Sequence, residues 1–455
     1  MSLLNYVHVV GRETGELSNK QLLIEATHVT NVSIRLAKQC IWAYFLLLIF
    51  EGALRKWVLP GLATPLILIR DPLALWLVVS VWQQGLLPLN RYIVGTTCVG
   101  VISIFTATLL GHGNLPVALF GARILLIHFP LMFVIGRIFS RDDVLKIGKI
   151  AVLIAIPMAV LIAFQFYSPQ SAWINRGIGG DIGGAGFSGA MGYFRPSGTF
   201  SFTNGSASYF CFVAPFILFF WIDGKSINKL ILICATIALL IAIPLSISRT
   251  LLFQVVISLL FLVIAISRNP WYLWRMLFAI MSGVVVLVIL GQMSFFNTAA
   301  DVFTNRYESA NEVEGGIEGV FLDRFLGGLL GALTGASDLP FWGFGLGMGT
   351  NVGSVLLSGT KTFLISEGEW GRVVGELGPL LGLCILYLRV ELTIKITIAC
   401  YRKMLHYDFL PWMLLSFGLL IIAQGGWAQP TALGYFTMIG GLIMASLRRS
   451  SSSAV

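Results

Sequence analysis

The chain has 455 residues, of which 57% are hydrophobic and 11% charged, with a formal net charge of +9 and a mean hydropathy of +0.86. A chain of this length cannot bury so much apolar surface in a water-soluble globule, so the composition excludes a soluble protein. The six cysteines and five histidines are scattered and show no disulfide or metal-ligand spacing. The sequence therefore predicts a membrane protein with neither a metal nor a cofactor.

Apolar runs long enough to cross a hydrocarbon core of ~30 Å, which takes about 20 residues, recur along the chain. They predict an all-α, polytopic membrane protein with about twelve transmembrane helices. The predicted spans are residues 39–55, 62–82, 92–111, 116–139, 145–167, 206–222, 229–247, 250–267, 272–292, 379–400, 409–425 and 430–447. Glu51 shortens the first span and the second contains Arg70 and Asp71, so either could be partly re-entrant or pack inside the bundle.

Most Lys and Arg residues lie in the segments that an even number of spans places on one side, together with both termini. Basic residues are retained in the cytoplasm, so this side is predicted to be cytoplasmic. The positive charge is thus a topology signal, and no nucleic-acid partner is expected. The predicted organisation is a cytoplasmic segment 1–38, helices 1–9 over 39–292 with an outer loop at 168–205, a large extracytoplasmic loop 293–378, helices 10–12 over 379–447, and a cytoplasmic tail 448–455.

Two outer segments interrupt the helices. The first, 168–205, is glycine-rich and ends in RPSGTFSFTN, which contains Arg195. The second, 293–378, is acidic, and its stretch 316–335 has apolar positions at helical spacing that could lie along the membrane surface. The run GFGLGMG at 343–349 superficially resembles a nucleotide fingerprint, but it follows no βαβ pattern and lies outside, so no nucleotide site is predicted.

Ionisable groups in a membrane span cost at least ~2.5–3.5 kcal/mol unless they are paired or face water. Several occur inside or at the ends of the predicted spans, among them Glu51, Arg55, Arg70, Asp71, Arg123 and Arg249. Glu51 and Arg55 are spaced i, i+4 and can pair on one helix face. Each charge alone has a structural explanation as an ion pair or an interfacial side chain. Together with Arg195 they indicate a cationic outer cavity suited to phosphate or pyrophosphate. His128, inside a span, is expected to be a packed, hydrogen-bonded core residue.

The order of these features carries a resemblance. RPSGTFSFTN precedes a span, SISRT ends one, and the long outer loop closes with GFGLGMGTN and SEGEWGRVVGELG. Over roughly residues 90–445 this order resembles the O-antigen polymerase and O-antigen ligase superfamily of bacterial surface polysaccharide assembly. The resemblance implies a GT-C-like, all-helical, metal-independent glycosyltransferase in the cell inner membrane. Such an enzyme moves a glycan from an undecaprenyl-diphosphate carrier to an acceptor sugar hydroxyl at the periplasmic face, with membrane lipid and other polysaccharide assembly proteins as partners.

For the donor, the resemblance implies that Arg195 and Arg249 hold the diphosphate, and Arg123 is a further candidate in the same cationic cavity. The residues Glu51, Arg55, Arg70 and Asp71 remain a candidate intramembrane site. The carrier's isoprenoid tail is expected to stay in the bilayer.

For the acceptor, the resemblance implies that residues 367–376 supply the activating group. Ligases of the superfamily carry a histidine-asparagine pair there, whereas this chain has Glu367 and Gly368. Either Glu367 or the alternate Glu369 is the general base, or the reaction depends on positioning and leaving-group stabilisation alone. On a helix the two would diverge by ~200°, so only one could face the cavity, and Glu376 is expected to be structural. The missing histidine favours an exopolysaccharide-type polymerase over a ligase.

Two other classes stay open besides a ligase. A lipid-linked oligosaccharide flippase would share the helix number and the intramembrane arginines, but it would not need a long, carboxylate-rich outer loop. A non-catalytic assembly subunit would tolerate the loop, but it would have no reason to place arginines at the outer ends of spans.

The topology is open to direct test by cysteine labelling. Single cysteines introduced at Gly184 and Ser337 should react with a membrane-impermeant maleimide on intact cells whose outer permeability barrier alone has been opened. Labelling that requires access to the cytoplasm would reverse the orientation and remove the proposed outer site.

Overall fold

A computed structural model describes residues 19–267, 274, 281, 283, 285–286, 288–314, 339–360, 364–366 and 368–448. Within these residues the regular structure is helical apart from one two-stranded antiparallel hairpin, β1 (Phe187–Ser188) and β2 (Phe194–Arg195). The helices are α1 (Asn19–Ala53), α2 (Arg70–Gln83), α3 (Arg91–Leu109), α4 (Leu115–Arg123), α5 (Phe129–Ile138), α6 (Arg141–Tyr167), α7 (Thr203–Asp223), α8 (Lys229–Leu245), α9 (Arg249–Ser267), α10 (Ser294–Glu314), α11 (Asn351–Ser358), α12 (Glu369–Leu405), α13 (Phe409–Gln424) and α14 (Pro430–Leu447). Turns of π-helix extend α1 over Leu54–Val58 and join α4 to α5 over Ile124–His128.

Nine helical segments among the described residues are long and apolar enough to cross a membrane. Two further apolar helices, α8 and α13, are shorter. These segments confirm the prediction of a helical, multi-pass membrane protein. The predicted number of twelve spans stays a prediction, because much of the ninth span, 272–292, and all of the amphipathic stretch 316–335 lie outside the described residues.

Local sequence signals explain where several spans begin. The side chain of Ser140 accepts from the backbone N–H of Asp143, and the Asp143 carboxylate accepts from the backbone N–H of Ser140, a capping box that starts α6. Asn90 caps α3 and Asn228 caps α8 in the same manner, each through a side-chain oxygen. The span α7 ends at Gly224 in the left-handed conformation that glycine adopts without strain.

Ion pairs between spans mark one end of the bundle, which we call the basic end. Lys38 Nζ lies 2.5 Å from Asp143 Oδ2, and Arg141 Nη1 lies 2.6 Å from Asp408 Oδ1. Because successive spans alternate in direction, the connections 168–202 and 246–248 lie at the other end. His112 Nε2 contacts the carbonyl oxygen of Leu346 at 3.1 Å, which places the segment 339–350 there as well. We call this the loop end.

The helix α12 reverses direction at Gly378, whose φ of 76° and ψ of 171° are not helical. In a straight helix, residues 369 and 389 would be ~30 Å apart. Instead Arg389 Nη1 lies 2.8 Å from Glu369 Oε1, so residues 369–377 fold back against the first turns of 379–405. Residues 369–377, the last part of the predicted extracytoplasmic loop 293–378, therefore form a buried, helical arm, and the extracytoplasmic location of the loop stays a prediction.

The glycines of the run GFGLGMG allow the backbone of this segment to pack closely. A Cβ on Gly347 would lie 2.1 Å from the carbonyl oxygen of Val117 in α4, and one on Gly343 would lie 2.4 Å from the backbone nitrogen of Gly378. The backbone N–H groups of Phe344 and Gly345 donate to carbonyls of the folded-back arm. The run is thus a packing element between α4 and α12.

Because the chain reverses at Gly378, we expect an alanine substitution there to destabilise the protein more than alanine substitutions at other glycines. The backbone conformation of Gly378 is essentially restricted to glycine, and a Cβ would lie 2.2 Å from the carbonyl oxygen of Phe341. Gly378→Ala should lower the free energy of unfolding by more than about 3 kcal/mol, since left-handed strain alone costs roughly 1–2 kcal/mol. Thermal unfolding of the purified protein in detergent measures this loss.

Two glycines supply matched controls. Gly85 has a φ of +67° but open space around a Cβ, and Gly61 has neither a left-handed φ nor a neighbour within 4 Å. The expected order of destabilisation is Gly378, then Gly85, then Gly61. Equal effects at Gly378 and Gly85 would show that the reversal tolerates a side chain.

Candidate functional site

The β-hairpin lies directly on the turn that joins α8 to α9. A Cβ on Gly189 in the hairpin would be 2.6 Å from Ile247 Cδ1, so hairpin and turn are in van der Waals contact. Ile247 is buried and has a φ of 47°, a strained conformation for a β-branched residue. The same turn leads into Arg249, the first residue of α9. The packing therefore brings Arg195 and Arg249 to one place at the loop end.

A third arginine joins them, and we call Arg195, Arg249 and Arg306 the arginine cluster. Burial lowers the pKa of Arg195, and the positive charges of Arg306 and Arg249 lower it further. Among the described residues, the charges that shift this pKa are all positive. The Nε atom of Arg195 is buried without a hydrogen-bond partner among the same residues. A concentration of positive charge with an unused donor is suited to an anion.

Arg306 was not selected as a site residue from the sequence. It lies on α10, whose Ala299 and Val302 are fully buried while Asp301 and Glu308 are exposed. Val302 and Arg306 are four residues apart, so on a helix Arg306 lies on the same face as the buried Val302. Nothing in the sequence indicates that this face is close to Arg195 in β2.

The segment 196–201, which follows Arg195, is fixed by hydrogen bonds to two spans. Gln165 Oε1 in α6 accepts from the backbone N–H of Gly198 at 2.7 Å, and Gln165 Nε2 donates to the carbonyl oxygen of Gly198 at 3.2 Å. Thr199 Oγ1 donates to the carbonyl oxygen of Ile49 in α1 at 2.6 Å. Arg195 therefore extends from a rigid support, which favours a defined binding geometry.

An apolar groove of about 500 Å³ runs along the membrane-spanning part of α6 and α8. Ala159 and Ala163 of α6 and Ala238 of α8 are among its lining residues, and their small side chains leave the space. The groove opens laterally, because Val160 and Phe164 on its rim are more than half exposed. It is therefore accessible from the hydrocarbon part of the bilayer and suited to an apolar chain.

One end of the groove lies next to the hairpin that carries Arg195. Tyr167 and Phe295 line the groove at the loop end of α6, and the Tyr167 hydroxyl donates to the carbonyl oxygen of Phe295. The ring of Tyr193 stacks on Phe166 with 4.7 Å between the ring centroids and meets Tyr167 edge-on at 6.4 Å. Since Tyr193 is two residues from Arg195, this aromatic layer separates the apolar groove from the cations.

Three of the four candidate intramembrane residues, Glu51, Arg55 and Arg70, form a separate network of ion pairs. Glu51 accepts from Arg55 at 3.3 Å, the pair predicted from the i, i+4 spacing, and from Arg70 at 2.9 Å. Arg70 also donates to the carbonyl oxygen of Pro430 at the start of α14, at 2.8 Å. The network thus ties α1, α2 and α14 together at the loop end.

Arg123 is not part of the arginine cluster. Its Nη1 lies 2.6 Å from Asp71 Oδ2, and the other oxygen of Asp71 lies 2.9 Å from His128 Nε2. His128 Nδ1 in turn contacts the Tyr44 hydroxyl at 3.1 Å, which places His128 in the packed, hydrogen-bonded core as predicted. The structure therefore places the buried guanidinium of Arg123 in an ion pair with a carboxylate of α2 and not among the charges that act on Arg195, and its role toward a diphosphate stays a prediction.

Glu369 belongs to a second buried network, formed by the folded-back arm. Arg372 binds its carboxylate through Nε and Nη2, both at 2.9 Å, and Arg389 donates a third hydrogen bond at 2.8 Å. Arg372 also pairs with Glu376 at 2.6 Å, and the guanidinium of Arg389 lies 3.6 Å from the ring of Trp427. A carboxylate held by two cations is a poor proton acceptor. The geometry argues against Glu369 as general base and agrees with a structural role for Glu376.

Glu367, the first choice for general base, lies outside the described residues, so its role stays a prediction. Within the described part of the chain, no three His, Cys, Asp or Glu side chains are grouped as metal ligands.

Comparisons with known proteins give no relative from which to transfer a role. The sequence matches no family model and no curated protein, and the fold matches no solved structure. The function is therefore argued from the site alone.

If Glu369 is structural, its neutralisation should affect folding. Glu369→Gln leaves Arg372 and Arg389 with an uncompensated charge in the interior, a change that typically costs about 3–5 kcal/mol. We expect a clear drop in melting temperature and in the yield of folded protein. Glu308→Gln, an exposed carboxylate on α10, is the control and should change neither. A Glu369→Gln protein of normal stability that has lost activity would instead restore the role of base.

Proposed function

We propose that the protein is a glycosyltransferase that uses a polyprenyl-diphosphate-linked glycan, of the polymerase type in O-antigen or exopolysaccharide assembly. One juxtaposition carries the proposal: an apolar groove that opens to the lipid is lined at one end by Tyr167, which contacts Tyr193, two residues from Arg195 in the arginine cluster. Few ligands combine a long apolar chain with a compact, doubly charged head, and lipid-linked sugar donors do so.

The two parts of the site fit the two parts of such a donor. The groove would hold the proximal isoprene units, whose burial contributes about 25 cal/mol per Å² of apolar surface. The arginine cluster would bind the diphosphate, since guanidinium groups form paired hydrogen bonds with phosphate oxygens. Together they would place the glycosidic bond at the loop end, where a second glycan can approach from water.

The reaction would be a displacement at the anomeric carbon of the donor sugar. An acceptor hydroxyl forms the new C–O bond, and the bond from the anomeric carbon to the phosphate oxygen breaks with its electron pair passing to the diphosphate. Fixed arginines stabilise the charge that develops on this leaving group. The hydroxyl proton passes to a base, for which Glu367 remains the candidate because both oxygens of Glu369 accept hydrogen bonds from arginines.

The first experiment tests the arginines with the purified protein and a polyprenyl-diphosphate-linked repeat unit. Arg195→Lys and Arg249→Lys should each lower the rate of glycan lengthening by about 10²-fold or more, because an ammonium does not reproduce a two-point guanidinium contact. Arg402→Lys, an exposed arginine near the basic end, is the control and should keep wild-type activity. Wild-type rates in both cluster variants would remove the diphosphate site.

The second arm tests the groove. Ala163→Trp fills it and should raise the donor KM by about tenfold, since the apolar chain loses its contact surface. Leu260→Trp places the same side chain on the exposed, lipid-facing side of α9 and should have no effect. Movement of the donor across liposomes without lengthening of the glycan would identify a flippase instead.

A further inference from the structure

We propose that Lys56, buried behind the segment 196–201, supplies a fourth positive charge to the diphosphate site. This inference rests on the proposed function, because it assigns Lys56 to the same anion. Lys56 does not touch the ligand in this proposal. It acts through the electric field and through the support of Arg195.

The backbone explains how Lys56 reaches this position. Residues Leu54–Val58 form a turn of π-helix, which is wider than an α-helical turn. The side chains of Arg55 and Lys56, although adjacent in sequence, are consequently both buried, with 7% and 1% of their surface exposed. Sequence periodicity would have placed one of the two outside.

The two neighbours differ in what they contact. Arg55 pairs with Glu51 and donates to the carbonyl oxygen of Ala63 and to Ser201 Oγ. Lys56 Nζ donates to Ser197 Oγ at 3.0 Å and to the carbonyl oxygen of Gly198 at 2.7 Å. Among the described residues, no carboxylate forms an ion pair with Lys56. Two of the three donors of the ammonium thus have acceptors, and no ion pair compensates its charge.

A buried ammonium without a counter-ion is expensive, and an anion bound nearby would lower that cost. Ser197 is two residues from Arg195, so their Cα atoms lie within ~7 Å. Lys56 thus lies against the segment that carries Arg195. From a buried position an ammonium attracts a bound diphosphate more strongly than it would through water, and the attraction falls as the salt concentration rises. An anion bound by the arginine cluster would therefore also compensate the positive charge of Lys56, which lies on the buried side of the segment 196–201.

The hydrogen bonds alone have a structural explanation, which is that Lys56 simply anchors the segment. Gln165 and Thr199 already fix this segment through their own hydrogen bonds. An anchor would need donors but no charge, so glutamine could replace it. The two explanations differ in whether removal of the charge, with a donor retained, changes anion affinity.

The test measures binding of inorganic pyrophosphate to the purified full-length protein by titration calorimetry at low and high salt. Lys56→Gln retains a donor and Lys56→Met retains the length, and both lack the charge. Each should bind pyrophosphate about tenfold more weakly at low salt, with a smaller difference at high salt. Ser197→Ala removes a hydrogen bond but leaves the charge, and it should bind within about twofold of the wild type.

Controls separate the possible failures. Arg402→Gln removes a positive charge near the basic end and should leave pyrophosphate affinity unchanged, and melting curves establish the folded fraction of every variant. Wild-type affinity in either uncharged Lys56 variant, or an equal loss in Ser197→Ala, would overturn the role of the charge while the diphosphate site stands. Failure of the wild-type protein to bind pyrophosphate would overturn the diphosphate site itself.

Discussion

The high free energy of a charge in hydrocarbon is the constraint on which the rest of this structure depends. The bundle meets it by pairing charges across helices. Glu51 holds two arginines, Asp71 holds Arg123 and contacts His128, and Glu369 accepts from two arginines. Each carboxylate joins segments far apart in sequence, so these pairs also determine which helices are neighbours. The arginine cluster is different, because the charges that act on Arg195 are of the same sign.

The backbone departs from regular α-helix beside several of the buried charged side chains. Both turns of π-helix carry them: Leu54–Val58 contains Arg55 and Lys56, and Ile124–His128 follows Arg123 and ends at His128. A π-turn adds a residue to one helical turn, which rotates the following side chains relative to an α-helix. The reversal at Gly378 achieves the same result on a larger scale by returning Glu369 to the level of Arg389. Irregular backbone and buried charge therefore occur together.

The sequence predicts best at which end of the helix bundle a charged residue lies. The sequence groups Arg195 and Arg249 because both are predicted at the outer face and the resemblance assigns both to the diphosphate, and the structure brings them together through the contact of Gly189 with Ile247. The sequence predicts least well which residue forms an ion pair with a given charge. Neither the Asp71 pairing of Arg123 nor the Arg389 pairing of Glu369 is visible in local spacing, since the partners are 52 and 20 residues away. Lys56 was missed because regular helical periodicity does not anticipate a π-turn.

The contrast between compensated and uncompensated charges separates structural from functional groups in this protein. A carboxylate that accepts hydrogen bonds from two guanidinium groups is a poor acceptor for a substrate proton, whereas Arg195, with a buried Nε that lacks a partner among the described residues, retains a donor for a ligand. An anion that binds the folded protein and not the unfolded chain also stabilises the fold by mass action. In the function proposed above, the repulsion among the arginines would contribute to the binding energy, because a bound diphosphate would relieve it and the repulsion would return when the product leaves.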